Sequence, residues 1–209
     1  MVQWDLALLT ALPLAAAPAS WLIGRHTERG RDAFVLLVTA AELLLAAALL
    51  LQPPGCLTME RLCGLGLSFR SGGLRTALAL LACAGWLVGT LMLREYFAHA
   101  QHKNRYYMFW LLTLGATVGV FLSADLFTTF VCFELMSFTS YVMVVHTETP
   151  EAIRAADTYL AVAVICGLVT LTGLFLLWHG AGTLNIDELY GAVQAAGDST
   201  LIRTAGALT

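Results

Sequence analysis

Apolar residues in this chain come in long blocks separated by short polar stretches. Each block has the length of a bilayer-crossing helix, about 20 residues at 1.5 Å of rise apiece. The blocks predict spans over residues 6–23, 33–51, 74–96, 106–122, 123–145 and 155–178. Pro53-Pro54 ends the second span. Residues 55–73 carry short apolar runs broken by glycine, a pattern that predicts a small hairpin or a re-entrant piece rather than a helix. A turn at Ser123-Ala124-Asp125 opens the fifth span. After the sixth span the chain turns polar (GAGTLNIDELYGAV), and its last residues, LIRTAGALT, are mildly apolar. The expected fold class is an all-α membrane protein of about six transmembrane helices.

Composition agrees with that class. Of 209 residues, 59% are hydrophobic and 12% charged, against about a quarter charged in a soluble domain. The mean hydropathy is +0.78. A net charge of −3 without a basic tail leaves no electrostatic footprint for nucleic acid.

The positive residues set the expected orientation. Arg25, Arg29, Arg31, Arg94, Lys103, Arg105 and Arg154 would share one side, with Arg61, Arg70, Arg75 and Arg203 on the other. The richer side is expected in the cytoplasm, which puts the N-terminus outside. The AAAPAS end of the first span looks like a cleavage site, but no basic residue precedes it, and a retained helix is expected. Trp4 and Trp21 sit where aromatic belts would lie. Cys83, Cys132 and Cys166 read as packing residues. Cys56 and Cys63 share one loop and are expected to be free thiols, with a disulfide as the alternative in an oxidising space.

One acid stands near the middle of the fifth span. A charge at mid-membrane costs about 2.5–3.5 kcal/mol on insertion scales, so Glu134 is the first candidate for chemistry. At helical spacing Phe130, Ser137, Phe138 and Tyr141 share its face. Carboxyl, hydroxyl and phenol on one stripe suit a proton relay or ion site. The alternative is a protonated carboxyl used for packing. Glu42 sits midway through the second span, beside Thr39, Leu45 and Ala46. A structural or subunit-contact role and a proton role are both open for it.

The remaining polar residues read more plainly. Asp125 reads as a helix N-cap. Asp157 reads as a cap of the sixth helix, or as a point of proton access. His146 lies twelve residues past Glu134, about 18 Å along the axis. It reads as a solvated interfacial histidine, with a longer relay as the alternative. Thr113 and Thr117, beside Gly115 and Gly119, predict close helix contact in the fourth span. The cluster His99, His102, Lys103 and Arg105 reads as a cytoplasmic loop or a docking point. No metal-ligand spacing, cofactor motif or nucleophile–base pair occurs, and no bond-making chemistry is expected of this chain alone.

The run RYYMFWLLTLGATVGVFLSADLFTTFVCFELMSFTSYVMV carries L-S-x-D-L, then F-x-x-F-E-L-M-S, then S-Y. It resembles the fourth and fifth helices of the proton-translocating, antiporter-like membrane subunits. Those occur in NADH-quinone oxidoreductase, Mrp sodium/proton antiporters and membrane-bound hydrogenases. FRSGGL, EYF at 95–97, EAIRAADTYL and GTLN add weaker matches. The resemblance implies that Glu134 is the carboxylate of a proton channel. It also implies a partner lysine on a seventh helix, and a fold of two inverted five-helix repeats starting at the fourth helix.

Where such members often carry lysine before the tyrosine of the sixth helix, Thr158 precedes Tyr159 here. Gly72 stands where an aspartate is usual. The expected organisation is a three-helix segment over 1–104 and the start of the antiporter-type domain over 105–209. The chain is expected to be a fragment or split product stopping before helix seven. The expected function is proton or sodium/proton translocation within a multisubunit antiporter or redox-driven pump; the alternative is a non-transporting scaffold subunit. The implied surroundings are a lipid bilayer, other membrane subunits and a prokaryotic plasma membrane.

Overall fold

The computed structural model of the chain describes residues 2–59, 66–97, 103–196 and 200–209. Six long helices carry the fold: α1 (Val2–Gly24), α2 (Glu28–Leu50), α3 (Gly73–Tyr96), α4 (Lys103–Leu122), α5 (Leu126–Val144) and α6 (Pro150–Ala181). Each is long and apolar enough to cross a membrane. A hairpin of β1 (Cys56–Met59) and β2 (Leu67–Arg70) joins α2 to α3. Two short helices, α7 (Ile186–Ala196) and α8 (Thr200–Leu208), follow α6.

The six spans lie where the apolar blocks put them, but several helices start earlier. The polar residues Glu28 to Asp32 form the first turns of α2. α6 begins at Pro150, whose fixed φ suits the first helical position. Thr149 caps it, accepting a bond from Ala152 N at 3.2 Å. Asp157 therefore lies well inside α6 and caps nothing, which corrects the capping assignment.

The predicted hairpin is present: β1 and β2 pair antiparallel, with Leu57 opposite Phe69. Gly72 and Gly73 both have positive φ, 132° and 49°, and turn the chain from β2 into α3 at little steric cost. Arg61 and Cys63 lie outside the described residues, as do His99 and His102. Cys56 is a free thiol.

α4 is the central helix, packed on α1, α3 and α5. Small residues let its neighbours approach closely. A Cβ on Gly115 would lie 2.9 Å from Leu14 Cγ on α1, and one on Gly119 would lie 2.7 Å from Cys132 Sγ on α5. Thr113 donates to Thr139 Oγ1 at 2.9 Å and to Phe109 O at 2.8 Å. Thr117 donates to Thr113 O at 2.7 Å. Hydroxyls bonded back onto their own helix in this way can sit in an apolar interior.

Between α3 and α4, Trp86 Nε1 donates to Trp110 O (3.1 Å) and Trp110 Nε1 donates to Thr90 Oγ1 (2.9 Å). Both indole N–H groups are thus satisfied where the rings are packed. α2 buries one stripe (Val35, Val38, Thr39, Glu42, Ala46 and Leu49) at 3–4 residue spacing.

The polar stretch after α6 holds a helix the hydropathy pattern did not announce. α6 ends at Gly182 in the left-handed conformation. α7 then follows, with Asn185 Oδ1 accepting from Asp187 N (3.1 Å) at its start. α8 packs back on α6, where a Cβ on Gly173 would lie 2.9 Å from Leu208 Cβ.

Candidate functional site

The α4–α5 turn fixes the helix that carries Glu134. Asp125 is its N-cap, as the sequence predicts. Its carboxylate accepts from Thr128 N at 2.7 Å and from Thr128 Oγ1 at 2.6 Å. Thr128 Oγ1 in turn accepts from Ser68 N on β2 (2.9 Å).

Backbone bonds hold the turn on both sides. Ala124 N donates to Ser68 O (2.8 Å). Leu126 N donates to Leu184 O (3.0 Å), and Ile186 N donates to Ala124 O (3.1 Å). The turn is thus clasped between the hairpin and the loop that leads into α7. Arg70 on β2 pairs with Asp187 on α7, and Arg75 on α3 reaches the same carboxylate at 3.0 Å. The Arg75 hydrogen bond, helped by the charge of both arginines, holds the Asp187 carboxyl below its usual range. The clasp is therefore charged as well as hydrogen-bonded.

Along α5 from this end, Thr129 donates to Asp125 O at 2.9 Å and shares a 2.6 Å hydrogen bond with Ser123 Oγ. Thr129 then lines a cavity of about 390 Å³ between α5 and α6, together with Phe130, Phe133, Glu134, Gly167 and Thr170. Glu134 projects over Gly167: a Cβ on that glycine would lie 2.5 Å from Glu134 Oε1 and 2.9 Å from its Cδ. The carboxyl is half-buried, and it makes no hydrogen bond among the described residues. α5 packs mainly on α4 and α6, and Glu134 lines the cavity between α5 and α6.

Ser137 and Tyr141 follow Glu134 along α5, at one and two turns. Ser137 is buried. Tyr141 reaches across to α6, where its hydroxyl donates to Asp157 Oδ1 at 3.5 Å. One turn away, Ser140 Oγ and Tyr159 Oη are 2.8 Å apart. The α5–α6 interface therefore brings Glu134, Tyr141 and Asp157 onto one seam. No hydrogen bond joins Glu134, Ser137 and Tyr141 directly; Glu134 and Tyr141 stand about 10 Å apart along the axis. Gly167, Thr129 and Thr170 were not singled out by sequence reasoning. The signal was a glycine midway through a Val/Ile/Leu-rich span, opposite the acid.

His146 differs from its expected place. It is buried rather than solvated, and its ring lies 5.0 Å from those of Phe97 and Tyr106 in edge-on geometry. The α3 end, the α4 start and the α5 end converge there, which a reading of α5 alone does not show. Lys103 pairs with Glu28 (3.6 Å) and Arg105 with Glu148 (2.7 Å). The basic stretch before α4 thus ties the helix ends at that side together.

Glu42 is the fully buried acid, at 0% exposure. Neither of its carboxyl oxygens has a hydrogen-bond partner among the described residues. Its surroundings are not purely leucine and alanine, since Cys83 on α3 lies near enough for the two groups to interact electrostatically. No group of three or more metal-ligating side chains occurs among the described residues.

Comparison with known proteins places this geometry. Residues 123–208 match the NADH:quinone oxidoreductase/Mrp antiporter transmembrane family. A Staphylococcus aureus protein named as antiporter subunit mnhD2 is 31% identical over 129 residues, which is 60% of this chain and 26% of that protein. The chain thus spans about a quarter of the length of the curated relatives it matches. A chain of the membrane-bound sulfane sulfur reductase, an archaeal respiratory membrane complex, superposes with a TM-score of 0.87. That match covers 99% of this chain and 43% of the other, at 23% identity. A chain of the Mrp complex from Dietzia sp. gives a TM-score of 0.84, covering 97% of this chain and 22% of its own, at 20% identity. At these identities the superpositions establish the fold alone.

Proposed function

We propose, from the match of residues 123–208 to the NADH:quinone oxidoreductase/Mrp antiporter transmembrane family, that this chain helps to move protons, alone or in exchange for sodium, across a membrane. It does so as one subunit of a multisubunit antiporter or redox-driven assembly in a plasma membrane, with its N-terminus outside. Glu134 is the proton carrier. The observation that supports this most directly is its carboxyl, without a hydrogen bond among the described residues, facing the α5–α6 cavity over Gly167. A carboxyl with no fixed partner can take up and give away a proton without first breaking a bond.

Thr129 and Thr170 offer hydroxyls on the cavity wall toward Asp125. Ser137 and the Tyr141–Asp157 pair lead toward the other end. Asp157 is the proton-access residue in this reading; His146, enclosed by rings, contributes to the packing of that end. Residues 1–104 form a supporting segment and residues 105–209 the start of the transport domain.

E134Q tests this reading. It keeps the shape of the side chain and removes the exchangeable proton. In the assembled complex reconstituted in vesicles, ΔpH-driven ion flux is expected to fall at least tenfold, and E134D to restore part of it. Unchanged flux in E134Q would overturn the assignment. It would also favour the scaffold reading, which the exposed apolar face of α6 (Val162, Ile165, Leu168, Val169 and Phe175) supports as a packing surface.

A further inference from the structure

We infer that Glu42 is a second proton-binding site, held as the neutral carboxylic acid inside the packing of α1, α2 and α3. The inference does not rest on the role of Glu134.

Four observations carry it. Glu42 is wholly enclosed, and both of its oxygens lack a hydrogen-bond partner among the described residues. Thr39, one turn before it, spends its hydroxyl hydrogen on Val35 O (3.0 Å) and Leu36 O (3.1 Å) of its own helix.

No cation faces it. On α3 the near titratable group is Cys83, itself buried; Arg75 and Arg94 lie eight and eleven residues from Cys83, about 12 and 16 Å along the axis. The one titratable side chain of α1 is Asp5, which accepts from Gln52 Nε2 at 2.9 Å. The charges of α2 itself stop at Asp32, about 15 Å back along the helix. On α4, Lys103 and Arg105 sit in the first turn with Glu28 and Glu148 as partners.

The fourth observation is the lack of ligands for any larger cation. A metal ion asks for a shell of several ligands, and among the described residues no second or third His, Cys, Asp or Glu side chain joins Glu42 in such a group. An ionised carboxylate without partners is expensive in this setting, and such a group neutralises instead. The cation that fits is a proton.

A cavity approaches the same α2–α3 seam from one end. A cavity of about 380 Å³ opens between α2, α3 and α4, lined by Arg29, Asp32, Leu36, Thr90, Arg94 and Tyr107 among others. Leu36 precedes Glu42 by six residues, about 9 Å along α2, and Thr90 follows Cys83 by seven, about 10 Å along α3. The α2–α3 seam between the cavity and Glu42 is largely apolar, so proton exchange at Glu42 is expected to be slow compared with that at Glu134.

Infrared difference spectroscopy on the full chain in lipid nanodiscs at neutral pH tests this. The carbonyl band of a protonated carboxyl, sensitive to deuterium, is expected in the wild type and in E134Q and absent in E42Q. Loss of ionised-carboxylate bands in E42Q instead, with no change in the protonated band, would overturn the proposal. E42L provides a second reading that does not depend on a folded E42Q. A neutral, unpartnered acid in an apolar site tolerates leucine, so the thermal midpoint is expected to hold or rise. A clear fall, or failure to fold, would show that Glu42 has a charged partner and would equally overturn the proposal.

Discussion

Glu134 on α5 and Gly167 on α6 share one space: a methyl group on Gly167 would lie 2.5 Å from Glu134 Oε1. The glycine is the room into which the carboxyl fits. In G167A the end of the glutamate must move, while alanine favours the helix by up to about 1 kcal/mol. Stability is therefore expected to change little, and ion flux through the assembled complex to fall several-fold. G167L should abolish flux by filling the cavity. Equal flux in G167A, G167L and wild type would show that the carboxyl is not used at this position.

A second close approach concerns stability alone. A Cβ on Gly119 would lie 2.7 Å from Cys132 Sγ, in the tight α4–α5 contact. G119A should destabilise by about 1–3 kcal/mol, as overpacking does. Removing the sulfur in C132A should restore much of the loss. Thermal unfolding of both single variants and the double variant, read as a double-mutant cycle, checks this. Additive losses would mean that the two positions do not meet.

Asp125 holds the start of α5 through Thr128 N and Thr128 Oγ1. D125A should cost about 0.5–2 kcal/mol as a lost N-cap, and D125N much less, since an amide oxygen can still accept. Hydrogen exchange of the first turn of α5 is the direct measurement. A loss spread evenly along the helix would argue against a capping role.

The ion pairs of Asp187 make the clasp sensitive to acid. Its carboxyl titrates below the usual value because Arg75 and Arg70 favour the charged form. The lowered folded value means that the contribution is complete above the ordinary aspartate range, near pH ~4, and is lost as pH falls through the folded value. α7 should therefore exchange its amides faster at pH 3 than at pH 6, beyond the intrinsic effect of pH. High salt should act in the same direction because these charges are exposed. D187N should remove the pH dependence. A profile unchanged in D187N would assign the effect to another group.

The sequence carried the long-range plan well, because membrane spans are written locally as apolar length. It carried the hairpin too, through its glycines and the Pro53-Pro54 stop. It missed α7, whose eleven residues are too short and too polar to register as a span. Asp157 was misread because hydropathy marks where α6 enters an apolar zone, whereas Thr149 and Pro150 mark where its hydrogen bonds begin. Burial was the least legible property. His146 is enclosed by Phe97 and Tyr106, which come from outside its own helix, and Glu42 outranks Glu134 in burial because it lies on the packed stripe of α2 while Glu134 lines the α5–α6 cavity. No pattern along a single helix encodes what stands opposite each of its residues.

The clasp around Ala124 also sets an order of assembly. Its Ser68 half joins residues already made when α5 begins to form, whereas its Leu184 and Ile186 half joins residues that follow α6. During synthesis the start of α5 is therefore held at one side only until α6 has been laid down and the chain has turned back. The Leu184 and Ile186 contacts of the helix that carries Glu134 are thus available only once residues beyond α6 have been made.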